Sequence, residues 1–340
     1  MKKIPVEEAV GMVLYHDLTE IIPGEFKGPA FKKGHIIKAE DVPRLLNMGK
    51  SHIYVGEVEE GVIHENEAAE RMARAAIGMG IEFTSPSEGK VTLKAKEKGL
   101  LKINIETLEK LNDIDEAMFA TLHTDIVVKK GMNVGGTRVI PLVIEETKIA
   151  QIEELCKKEG PIVEVLPLKP MKVGIITTGS EVYNGRIEDK FGPVLGKKVK
   201  DLGGQVVKQL FSADDVDMVV EKIEEVLSLG VDMLLLTGGM SVDPDDITPM
   251  GIKKAGANII SYGAPTLPGA MFLMVYIGDI PVLGLPACVM YCKTNIFDLI
   301  LPRVMAGERI EKRDIRRLGH GGFCLSCENC IFPSCGYGKW

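Results

Sequence analysis

Three carboxylates crowd into four residues, Asp243, Asp245 and Asp246, just after the glycine pair Gly238-Gly239 and the hydroxyl of Ser241. Such crowding is unfavourable unless solvent or a cation relieves it. It suits a divalent metal ion beside a phosphate-bearing ligand. An N-cap role before Thr248-Pro249 explains one aspartate, not three. A second glycine-bearing exit, Thr177-Thr178-Gly179-Ser180-Glu181, follows the apolar run Val173-Gly174-Ile175-Ile176. Each exit pairs backbone N–H groups and hydroxyls with a carboxylate, the chemistry that cradles a phosphate held partly through a metal. Taken alone, the first is an ordinary βα turn; it is neither a Walker loop nor a dinucleotide fingerprint.

A different chemistry gathers at the other end. Cys324-x2-Cys327-x2-Cys330-x4-Cys335 lies between Gly321-Gly322 and Gly336. Without secretory context such spacing reads as metal binding before disulfides. The C-x2-C-x2-C opening fits an iron–sulfur cluster, and four thiolates also fit structural Zn2+, with His320 as a spare ligand. A segment this short has no core of its own, so a metal is expected to organise it. Cys156, Cys288 and Cys292 are scattered; Cys288, opening an apolar helix, reads as core. His64-Glu65-Asn66-Glu67 lacks a second histidine one turn on and reads as a solvated helix start.

The elements that must position these groups alternate cleanly over 171–306. Strands are expected at 172–177, 205–210, 232–237, 272–277 and 281–284, and helices near 194–202, from Asp215, near 247–255 and at 287–304. This pattern means an α/β fold with a doubly wound, mostly parallel sheet. Ligands of such sheets sit outside the carboxyl ends of the strands, where both glycine loops fall, together with Pro268-Gly269 and Gly284-Leu285-Pro286. Residues 1–58 read as a small β-rich module with a helix at 39–47. Residues 60–165 read as an α+β domain with helices at 65–79, 106–120 and 145–158, and 315–340 as the Cys-rich segment.

Composition bounds the function. The 340 residues allow two or three domains, and 45% hydrophobic content supports real cores. A net charge of −7 argues against nucleic acid or an acidic membrane as the main partner. Met1-Lys2-Lys3-Ile4-Pro5 leads into Glu7-Glu8 without an apolar run, and no stretch is apolar enough to span a membrane. The expectation is a cytoplasmic, soluble protein.

The ordered set Thr178-Gly179-Ser180-Glu181, Thr237-Gly238-Gly239-Met240-Ser241-Val242, Asp246-Ile247-Thr248-Pro249, Pro268-Gly269 and Gly284-Leu285-Pro286 resembles the molybdopterin-binding domain family. That domain is shared by MoeA/gephyrin-type molybdenum-insertion proteins, MogA-type adenylyltransferases and CinA-like proteins; here the resemblance covers 171–306. It implies molybdopterin, or its adenylylated form, bound across the crevice by Thr178, Gly179, Ser180, Thr237, Gly238, Gly239, Ser241, Pro268, Gly269, Gly284 and Pro286. It further implies Glu181, Asp245 and Asp246 as catalytic carboxylates working with Mg2+ at a phosphoanhydride. Where the MoeA-type loop carries Lys-Pro-Gly-Lys-Pro, this chain has Leu267-Pro268-Gly269-Ala270-Met271, so both lysines that would grip molybdate are missing. Two readings follow, an enzyme of cofactor assembly or insertion and a non-catalytic cofactor carrier or sensor; a CinA-like nucleotide pyrophosphatase is a third. Molybdate, a molybdenum enzyme and a second copy of the chain are further candidate partners.

Overall fold

Alternating apolar side chains build the largest sheet. Along Lys172–Thr178, Val173 and Ile175 enter one core while Ile176 enters another; along Met233–Thr237, Met233 and Leu235 oppose Leu234 and Leu236 in the same way. Both faces are therefore covered. Each fully buried leucine or isoleucine contributes about 2 kcal/mol. Phe191–Asp201 and Ile296–Met305 pack on one face, and Val216–Ser228 on the other. The computed structural model describes residues 1–56, 60–240 and 247–339. Ser241, Asp243, Asp245 and Asp246 lie outside the described residues.

The sheet has six strands, in the order 205–212, 172–178, 233–237, 280–285, 273–277 and 258–262. The first four run parallel and the last two join antiparallel. This is the expected doubly wound, mostly parallel architecture. The edge strand Asn258–Tyr262 was not expected; its alternation is weak because it is largely exposed. The helix expected over 287–304 is two helices, Cys288–Tyr291 and Ile296–Met305. The cause is local: Asn295 accepts the Phe297 N–H, and Asp298 reaches back to the Asn295 N–H, closing a capping box that starts the second helix afresh.

The chain forms two compact units, 1–96 with 103–122 and 130–165, and 97–102 with 123–129 and 166–340. The second holds the six-stranded sheet. Its segments 97–102 and 123–129 are held by charge: Lys102 pairs with Asp125 and Glu308, and the buried Arg303 guanidinium binds Glu308 at 2.6 Å and Asp314 at 2.9 Å.

The first unit is assembled from small sheets and two long helices. Glu65–Ala76 buries Ala68, Ala69, Met72, Ala73 and Ala76. Arg71 on its outer side forks onto Glu153 and Glu146 of Glu146–Glu159, with bonds of 2.8–2.9 Å. The helix expected over 106–120 is shorter, Ile105–Asn112, and the strand Ala117–Thr121 follows. Asn112 explains the switch, since its amide donates to Phe119 O and accepts the Phe119 N–H. A separate core at the chain start gathers Val6, Leu14, Leu45 and Ile53. Among the described residues, no helix is long and apolar enough to cross a membrane.

His64 is a buried helix cap, not a solvated helix start. Its Nδ1 accepts the Asn66 N–H and its Nε2–H donates to Tyr15 O, both at 3.2 Å. Burial, assisted by Lys33, pushes its pKa down to about 4. Unfolded, it titrates near 6.5. Between these values the unfolded chain takes up a proton that the folded chain refuses, so stability falls as pH drops from about 6.5 towards 4. His64→Gln should flatten this part of the pH–stability curve, measured by urea unfolding at a series of pH values.

Candidate functional site

Register sets the site. Thr177 lies beside Thr237, and Thr237 beside Leu285, so three parallel strands end level; Thr178 is likewise level with Ser212. The loops after them leave from one sheet edge. Between the loops at 238–240, 267–271 and 285–288 lies a cleft of about 530 Å³. Gly238, Gly239, Pro268, Gly269 and Pro286 line it as expected. Gly284 does not, because its Cα faces the Met240 side chain, 2.7 Å from where a Cβ would stand.

The first loop does a different job. Thr178 is buried, and its hydroxyl donates to Thr237 O at 3.1 Å and meets the Thr248 hydroxyl at 2.9 Å. The Thr248 hydroxyl in turn bonds Gly238 O at 3.0 Å. These links hold the Gly238-Gly239 turn, where φ is +83° and +52°. A Cβ on Gly238 would sit 2.0 Å from Thr178 O, so only glycine fits. Ser180 is also committed: its N–H donates to Asp214 at 2.8 Å, and its hydroxyl accepts the Asp214 N–H at 3.2 Å. Asp214 thus occupies an amide expected to serve phosphate, and no motif marked it. Glu181 is exposed. Thr178, Gly179, Ser180 and Glu181 do not line the cleft.

Beneath the second loop, the Thr237 hydroxyl is buried with no hydrogen-bond partner among the described residues. An orphaned hydroxyl costs free energy until a ligand or water answers it. Thr237 is not part of the cleft lining, which among the described residues, including Phe191, Met240, Leu267, Met271 and Tyr291, carries no charge. Cys288, read from sequence as core, is both buried and part of the cleft wall; burial, with Cys292 nearby, pushes its thiol up to about 11, so it is protonated at neutral pH. Among the described residues, no three of His, Cys, Asp and Glu converge on one point that could hold a metal ion. The Mg2+ assignment therefore rests on Asp245 and Asp246, outside the described residues.

The C-terminal segment docks on the α/β unit. Leu267 N–H donates to Gly322 O and Cys324 N–H to Leu267 O, each at 2.8 Å, so Phe323 pairs with Leu267 strand-wise. The buried Tyr337 hydroxyl donates to Pro268 O at 3.0 Å. The segment joins the core of the α/β unit through Leu318, Phe332 and Tyr337. It encloses a second cavity of about 510 Å³, whose wall includes Cys292, Cys324, Cys327, Cys330 and Cys335. Cys324 Sγ accepts the Ser326 N–H at 3.4 Å, and Cys330 Sγ lies 3.3 Å from the Thr294 hydroxyl. That hydroxyl holds the Cys330 thiol below the ordinary range, while burial, with Cys324 beside it, pushes Cys292 up.

Residues 174–306 match the family model described as "Probable molybdopterin binding domain". This segment is similar to molybdopterin-binding domains. Residues 3–57 match a domain of unknown function. A molybdopterin molybdenumtransferase of Staphylococcus epidermidis is 25% identical over 319 residues, covering 88% of this chain and 70% of its own. A CinA-like protein of Thermotoga maritima is 40% identical over 83 residues, 24% of this chain and 20% of its own. Among solved structures, the tungsten cofactor synthesizing protein MoaB of Pyrococcus furiosus is similar over 36% of this chain and 84% of its own, at 24% identity and a TM-score of 0.31.

The glycine turn can be tested directly. Gly238→Ala must displace Thr178 O and should cost about 3 kcal/mol or more. Gly278→Ala, also at positive φ (+58°) but with no atom within 4 Å of the new Cβ, should cost about 1 kcal/mol. Urea unfolding of the two variants measures the difference.

Proposed function

We propose that the cleft binds molybdopterin or its adenylylated form, and that the protein serves molybdenum cofactor biosynthesis or insertion. The observation that carries this is the level exit of three strands around a glycine-rich cleft, within the segment that matches molybdopterin-binding domains. Gly238 and Gly239 let the backbone approach the ligand, and Phe191, Met240 and Tyr291 give the pterin apolar contact. On the enzyme reading, a molybdopterin molybdenumtransferase or adenylyltransferase, Asp245 and Asp246 would hold Mg2+ and Glu181 would be a further catalytic carboxylate. Bound there, the ion neutralises charge on a phosphoanhydride.

The carrier reading draws on one specific observation: among the described residues, none lining the cleft is charged. A site without a fixed cation has no grip of its own on molybdate. In both readings residues 1–58 and 60–165 are accessory modules, and 315–340 hold a metal centre, iron–sulfur or zinc, through Cys324, Cys327, Cys330 and Cys335.

Anaerobic purification, followed by oxidation of the released ligand, should give pterin fluorescence, or else the purified chain should bind added molybdopterin. A chain that does neither sinks the proposal. Asp246→Asn should abolish turnover of adenylylated molybdopterin while leaving pterin binding within about twofold; a wild-type chain that binds but never turns over favours the carrier.

A further inference from the structure

We infer that Cys292 completes the metal site of the C-terminal segment, and that Cys292, Cys324, Cys327 and Cys330 together hold a four-iron, sulfide-bridged cluster. The inference rests on reading 315–340 as a metal-holding segment, and it changes both the ligand set and the kind of centre. Cys292 follows the short helix Cys288–Tyr291, more than thirty positions upstream of the clustered cysteines, yet it lines the same cavity. In a C-x2-C-x2-C run the three close thiolates take three corners of one cluster, and the fourth comes from elsewhere in the chain. Cys292 is that distant thiol. Cys335, separated from Cys330 by four residues, lines the same cavity but falls outside the x2 run and is the spare.

The cavity also separates a cluster from a single ion. Tetrahedral zinc, with Zn–S near 2.3 Å, draws its thiolates to within about 3.8 Å of one another. The thiols of Cys292, Cys324, Cys327 and Cys330 line a cavity of about 510 Å³, room for a polynuclear centre, which holds its terminal sulfurs farther apart. Two of the sulfurs already have hydrogen-bonding groups in place, the Ser326 N–H at Cys324 and the Thr294 hydroxyl at Cys330. Hydrogen bonds to sulfur are among the features that tune such clusters. Phe323, Leu325, Ile331 and Phe332 supply an apolar wall.

The test is anaerobic reconstitution of the full chain with ferrous iron, sulfide and a thiol reductant, reading bound iron, acid-labile sulfide and visible absorbance. Wild type should take up iron and sulfide in equal amounts. Cys292→Ser and Cys292→Ala should fall to the iron content of Cys324→Ser, with metal-free unfolding midpoints matching wild type, and Cys335→Ser should retain its iron. Full iron and sulfide in both Cys292 variants overturns the inference, as does wild type that takes up one zinc and no sulfide-dependent iron. A wild-type chain that binds no metal at all removes the underlying metal reading as well. Molybdopterin binding, titrated on the same samples, reports on the cleft separately.

Discussion

A buried hydroxyl, that of Thr178, ties together everything on the working edge of the α/β unit. It donates to Thr237 O and lies 2.9 Å from the Thr248 hydroxyl, which itself donates to Gly238 O, so two strand exits and one helix start meet in a single cluster of polar contacts. In a low-dielectric setting such contacts are worth most when every member is satisfied. The Gly238-Gly239 turn has no side chain with which to hold its own shape; it takes that shape from Thr178 and Thr248. The parallel ladder brings the pieces level, and the threonines fix them.

Support for the opposite wall of the cleft comes from a distant part of the chain. The loop through Leu267 and Pro268 borders the cleft on one side and on the other is hydrogen-bonded to Gly322, Cys324 and Tyr337. The C-terminal segment is thus a structural member of the α/β unit, sharing its core. Leu267 N–H and C=O would otherwise need water; the segment answers both.

Much of the α/β architecture was legible because buried parallel strands write long apolar runs, as at Val173–Ile176 and Leu234–Leu236, and because Asp215 announces the helix it caps. The break after Tyr291 was legible too, in Asn295 and Asp298, but the apolar run through Ile296–Leu301 masks it. Thr178 and Ser180 bear the residue types of ligand contacts, yet their hydroxyls serve the loops themselves. Residue type cannot say which partner a hydroxyl faces. Asp214 and Cys292 were beyond sequence reasoning for the same reason: their significance lies in neighbours that only the folded chain brings to them. In the first unit, Asn112 ended a helix early through bonds to Phe119, a contact seven positions away that periodicity does not register.

Pro268 and Tyr291 each line both cavities, one face toward the glycine turn and the other toward the thiols. The two compartments therefore share a wall. An occupant of one that shifted Pro268 or Tyr291 would reshape the lining of the other, and linkage requires any coupling of their affinities to be equal in both directions.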